Sequence, residues 1–168
     1  KMIAKATRIF GHGIDIAKIS RFAQTYEKYG DRYLKKALHP NEIAQFHNLT
    51  DINDTKARFL ASRWALKEAV IKASGKRLLF PEMFLYADKS IGTCHPVCAC
   101  PRRLIPLNVD YALMLISFMY LHTDPRPKLV VEGEALAYFR ELRLDPLVSI
   151  SHDGEFAMAS VILQQELE

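Results

Sequence analysis

The stretch Arg58–Gly75, RFLASRWALKEAVIKASG, decides how the chain folds. Its apolar residues recur with helical spacing, and Leu60, Ala61, Trp64 and Ile71 fall on one stripe. Asn53 or Asp54 can cap this helix, the longest in the chain, which should run through Ala73 and stop at Gly75. Trp64 reads as packing, the usual role of an aromatic at helical spacing. Glu68 lies on the same stripe one turn beyond Trp64, where burying an acid is costly unless it is paired or holds a metal. Lys72 follows at i+4. Two readings of that pair stand side by side: a weak surface ion pair, or a carboxylate metal ligand next to a phosphate-binding lysine. Arg58, Arg63 and Lys67 divide in the same way, between a solvated basic face and a phosphate site built on the fork of Arg63.

Upstream, Ile9–Ile16 reads as a strand with two glycines, a sign of a bulge or of close backbone approach. Asp15, near its end, is either the N-cap of the next helix or a second carboxylate for a metal. That helix should start near Ala17, carry Ile19, Phe22, Tyr26 and Tyr29, and end at Gly30. Asp31 can cap a short helix with Tyr33, Leu34, Ala37 and Leu38, and Pro40 suits the first turn of another through Ile43 and Phe46. Downstream, Met83–Ala87 and Lys128–Glu132 look like short strands, and Ala135–Leu144 like a helix ended by Pro146. Leu147–Ser151 and Phe156–Leu163 form a hairpin around His152-Asp153-Gly154-Glu155, and the second strand is apolar on both faces, as if buried on both. His152 reads as an exposed turn residue or as a donor to a phosphate. The order of strand, helices and then mixed strands points to α+β, a small mostly antiparallel sheet against a long central helix.

The 168 residues, 49% of them hydrophobic, fit one domain spanning 1–168, with an apparent insertion at about 89–126. Cys94, Cys98 and Cys100 lie in that insertion; their number and spacing fit neither a secreted disulfide framework nor a structural zinc site. Its apolar run, Val109–Leu121, is too short for a bilayer span of about 20 residues. The net charge of +4 suggests an anionic partner. No Lys/Arg stripe interleaved with aromatics favours nucleic acid, and there is no P-loop, dinucleotide fingerprint or nucleophile elbow. No signal peptide is evident, and the basic, acid-free start Lys1–Arg8 leaves the cytoplasm and the mitochondrial matrix both open.

Three segments taken together, in order, resemble one family. Gly13-Ile14-Asp15-Ile16 followed by Ile19-Ser20-Arg21-Phe22 looks like the opening motif of holo-[acyl-carrier-protein] synthases. Phe59–Ala69 with Lys72-Ala73-Ser74-Gly75 looks like their second and most specific motif, and Val148–His152 with Phe156–Ala159 is similar to their C-terminal hairpin. The match covers about 9–88 and 127–163. The resemblance implies the 4′-phosphopantetheinyl transferase fold and a transferase that moves phosphopantetheine from coenzyme A to a serine of an apo acyl carrier protein, releasing 3′,5′-ADP. It implies a setting in fatty-acid and lipid biosynthesis, with no nucleic acid and no membrane as partner. Asp15 and Glu68 would hold Mg²⁺, with Mn²⁺ as an alternative. Lys72 would contact the pyrophosphate, and Glu68 or a metal-held water would take the serine proton. Arg63, Gly75 and His152 would lie on the coenzyme A side, and Arg21 would meet acids of the carrier. A homotrimer is implied as well, with Arg63 and His152 reaching the site from a different subunit than Asp15 and Glu68. The rival class is a binding module that keeps these surfaces without turnover.

Overall fold

Two glycines make the central contact of the molecule. A Cβ at Gly11 would sit 2.0 Å from the Ala73 carbonyl oxygen, and one at Gly13 would sit 2.0 Å from that of Ala69. Strand β1 (Thr7–Lys18) therefore lies with bare backbone against helix α4 (Thr55–Ser74). This is the close approach the strand glycines signal, and the register of β1 also slips between Ile9 and Gly11, so the bulge is present as well. The computed structural model describes residues 6–50, 54–86 and 127–167. The proposed insertion, the cysteines, the run Val109–Leu121 and the candidate cap Asn53 lie outside them.

Between β1 and α4 come α1 (Ile19–Tyr29), α2 (Asp31–Ala37) and α3 (Pro40–His47). Gly30, at φ +51, closes α1 and precedes α2, so Asp31 is the first residue of α2 and not its cap. After α4, whose C-cap Gly75 is left-handed, a 3-10 turn (Phe80–Glu82) leads into β2 (Met83–Tyr86). Then follow β3 (Lys128–Val131), α5 (Gly133–Glu141), β4 (Leu144–Asp153) and β5 (Phe156–Glu166). Strands β1, β5 and β4 form one antiparallel sheet in that order, and β2 pairs with β3 in a second. The architecture is α+β, with α4 packed across the inner face of the larger sheet.

Two local expectations give way. The helix expected to reach Leu144 ends at Glu141; Arg143 turns left-handed at φ +52, and Leu144 already begins β4. Pro146 thus lies inside a strand, tolerated because β4 is the edge strand and its missing N–H can face away from the ladder. Among the described residues, strand β5 is covered on one face. Ala157, Ala159, Val161 and Leu163 are fully buried under α4, while Phe156 and Met158 on the other face are exposed. Their neighbours Ile14 and Ile16 on β1 are exposed too, Ile16 at 62%. Among the described residues, helices cover one face of this sheet.

Candidate active site

The two carboxylates and the lysine singled out from the sequence meet at the edge of the β1–α4 contact. Asp15 alternates to the helix-facing side of β1, opposite Ala159, so it is not a helix cap; the N-cap of α1 is Lys18. Glu68 and Lys72 stand one turn apart on α4. Lys72 bridges the elements: its Nζ donates to Asp15 Oδ1 at 2.8 Å and to the Ile14 carbonyl at 3.0 Å. Asp15 is mostly sheltered, its side chain 17% exposed, while that of Lys72 is 51% exposed. The hydrogen bond it donates to Asp15 holds the Lys72 ammonium above its ordinary pKa, with the charges of Asp15 and Glu68 adding to it and partial desolvation opposing. Hence the lysine is not simply the surface partner of Glu68. It sits in the field of both carboxylates.

This donor set suits a hard cation. Among the described residues no three His, Cys, Asp or Glu side chains gather. Two carboxylates leave most of a coordination shell to water and phosphate, which is how Mg²⁺ is commonly held. The Lys72 ammonium already occupies a cation's place beside Asp15.

The other candidates lie apart. Arg21 is exposed on α1, its guanidinium 5.2 Å from the Phe22 ring centre and 5.9 Å from that of Trp64. Trp64 packs against Phe22, Tyr33 and Phe80, which bears out its reading as packing. Burial pushes the Tyr33 phenol up, and Arg21 opposes that shift. His152, exposed near the end of β4, pairs with Ala157, two strands across the sheet and one inner-face step along from the Asp15–Ala159 pair. At about 4.8 Å per strand and 3.4 Å per residue, that is roughly 12 Å within one chain. Gly75 is the exposed left-handed end of α4, three residues past Lys72.

Arg63 and Lys67 do not form a solvated basic face. Lys67 is fully buried, 2.6 Å from the equally buried Glu42, and its Nζ also donates to the Ala37 carbonyl. Burial lowers the Lys67 pKa, with Glu42 opposing and Arg63 reinforcing. Arg63, given to the coenzyme A side by the resemblance, is buried in this chain with its Nε 3.4 Å from Glu42. Glu42 also accepts from the His39 and Leu85 backbone amides. The cluster went unseen in the sequence, although His39-Pro40-Asn41-Glu42 has the spacing of a capping box, and the structure forms one. Histidine is not among the common caps, which hid the signal.

With this geometry in view, comparison with known proteins is specific. The 4′-phosphopantetheinyl transferase superfamily matches residues 11–92, which hold Asp15, Glu68 and Lys72. The holo-[acyl-carrier-protein] synthase of Dechloromonas aromatica is 31% identical over 157 residues, 93% of this chain and 98% of that protein. The fold is shared with the holo-ACP-synthase of Plasmodium yoelii (TM-score 0.68, 21% identity, 97% of this chain and 100% of that one). It is shared also with the Bacillus anthracis holo-(acyl-carrier-protein) synthase in complex with CoA (3′,5′-ADP) (TM-score 0.60, 24% identity, 96% and 100%). The fold and the matched motifs define a phosphopantetheinyl transferase. The chain belongs to the holo-[acyl-carrier-protein] synthase family. Among the described residues, no helix is long and apolar enough to cross a membrane.

Proposed function

We propose that this chain transfers 4′-phosphopantetheine from coenzyme A to a serine of an apo acyl carrier protein, with Mg²⁺ held by Asp15 and Glu68. The observation that carries the reading is the Lys72 ammonium, 2.8 Å from Asp15 and in the field of Glu68. The B. anthracis relative in complex with CoA (3′,5′-ADP) supports the choice of donor. A bound Mg²⁺ would neutralise the pyrophosphate and help to align it. Lys72 follows the pyrophosphate and offsets charge on the departing oxygen. The serine oxygen bonds to the β-phosphorus, the bond to the bridging oxygen breaks, and 3′,5′-ADP leaves with that oxygen. The serine proton passes to the Glu68 carboxylate. Arg21 offers its guanidinium to acids of the carrier.

Assembly as a trimer belongs to the same proposal. The outer face of the β1–β5–β4 sheet exposes Ile9, Ile14, Ile16, Phe156 and Met158, more contiguous apolar surface than isolated exposed residues explain. In such an assembly the family resemblance has His152 of one chain reach toward the carboxylates of the next, whereas Arg63, given the same role by that resemblance, is held inside its own chain beside Glu42. Thermal denaturation with ligands tests the binding half. Coenzyme A with Mg²⁺ should raise Tm more than either alone, and an oligonucleotide should leave it unchanged. A rise with the oligonucleotide only would overturn the reading.

A further inference from the structure

Twelve of the twenty residues of helix α4 are buried, Ala65, Leu66 and Lys67 in succession among them, while Trp64, Glu68, Ile71 and Lys72 share its less buried face. Apolar burial biases the rotation of this helix but is non-directional, so it does not by itself fix the aim of a side chain. The rotation matters, because Glu68 and Lys72 must face Asp15. At 100° per residue, Glu68 lies one step from Lys67, whereas Lys67 lies roughly 140° from the middle of the Ala69–Ala73 row that meets the strand glycines. The glycine contact thus holds one flank of α4, and Lys67 holds another. The Lys67 flank is directional. Its ammonium bonds Glu42 Oε2 at 2.6 Å and the Ala37 carbonyl at 2.9 Å, and Glu42 is bound in turn by the His39 and Leu85 amides. One buried pair therefore ties α4 to the ends of α2 and α3 and to β2.

We propose that Lys67, through Glu42, is a positioning residue for the transfer: it sets the rotation of α4 and with it the aim of Glu68 and Lys72. Setting register is the best-attested use of a buried ion pair, whose net stabilisation is often small beside an apolar replacement. The proposal rests on the transferase reading given above.

The test uses the full chain with Glu42→Leu and Lys67→Met combined, so that no unpaired charge is left buried. The double variant should melt at or near the wild-type Tm, yet lose at least about tenfold in kcat per folded molecule. The half-saturating Mg²⁺ concentration should rise, and KM for the carrier should stay. Zero-length carbodiimide coupling of Lys72 to Asp15, mapped by mass spectrometry, should fall several-fold; it reads the rotation without any activity. Wild-type kcat and coupling in a stable double variant would overturn the proposal. Glu42→Gln serves if the double variant does not fold, and activity that simply tracks its folded fraction, with unchanged coupling, would equally overturn it. An inert wild type would sink the transferase reading alone, because the coupling yield would still decide the role of Lys67.

Discussion

Alanine at Gly13 should separate the strand from the helix and disable the site. The dihedrals of Gly13 are not in the left-handed region, so the cost is one of space. The new Cβ would lie 2.0 Å from the Ala69 carbonyl oxygen and 2.7 Å from the Ala73 nitrogen. A carbon–oxygen contact settles near 3.3 Å, so the two elements must part by roughly 1.3 Å. The obstacle is helix backbone, which cannot rotate aside as a side chain would. Overpacking of this kind costs about 1–3 kcal/mol, and a rigid neighbour puts the change near the upper end. At about 2–4 °C per kcal/mol for a domain of this size, Tm should fall by roughly 6–12 °C. Asp15, two residues along, would withdraw from Lys72 and break their 2.8 Å bond. Misplacement by about 1 Å can cost on the order of 100-fold in rate. Gly30→Ala is the control: it has φ +51 but nothing within 4 Å. With ψ at −140 it lies outside the left-handed helical region, so alanine should cost about 1–3 kcal/mol of backbone strain and leave the rate per folded molecule intact. Circular dichroism melts and transfer rates taken below both transitions measure the two effects. A Gly13→Ala chain within about 2 °C of wild type and equally active would refute the reasoning, because a loss of ~3 kcal/mol cannot hide in that interval.

Three further outcomes follow from the same geometry. Arg21→Glu should raise KM for an acidic carrier about tenfold and leave KM for coenzyme A unchanged, as charge reversal at an interface does; steady-state titration of each substrate separates them. Ile16→Lys, on the uncovered sheet face, should leave the far-ultraviolet circular dichroism spectrum intact while light scattering reports smaller assemblies; an unchanged mass would remove that face from the interface. Lys72 is raised above 10.5 by its hydrogen bond to Asp15, so its contribution to stability is complete below that pH and is lost only as pH climbs through the raised value. Its ammonium therefore persists up to about pH 10, and Lys72→Arg should keep the shape of the wild-type pH–rate profile. An alkaline limb that vanishes in Lys72→Arg would contradict this.

Much of the architecture was legible because local signals agreed with one another. Gly30 and Gly75 end helices where the apolar periodicity runs out, Pro40 opens α3, and Gly154 takes the positive φ of a two-residue hairpin turn. The strand glycines signalled a bulge or a close backbone approach without naming its partner, and only the three-dimensional contact shows β1 on α4 and Lys72 turned to Asp15. What stayed hidden was non-local. The Lys67–Glu42 pair spans twenty-five positions, and nothing around Lys67 distinguishes it from a solvated lysine. The exposed face of β5 looked buried because its pattern records an apolar surface without saying what covers it. Leu142, Leu144 and Pro146 suit the end of a helix as well as an alternating strand, and the left-handed Arg143 between them has no sequence signature.

The central claim is a metal-dependent transfer organised by Asp15 and Glu68. It is tested most directly by weighing an apo acyl carrier protein by intact mass spectrometry after incubation with the chain, coenzyme A and Mg²⁺. Asp15→Ala, Glu68→Ala and a chelator control run beside it. A phosphopantetheine mass gain with the wild type, lost in both variants and without metal, is the expected result. A gain that survives the loss of either carboxylate, or no gain with any carrier although coenzyme A binds, would contradict it.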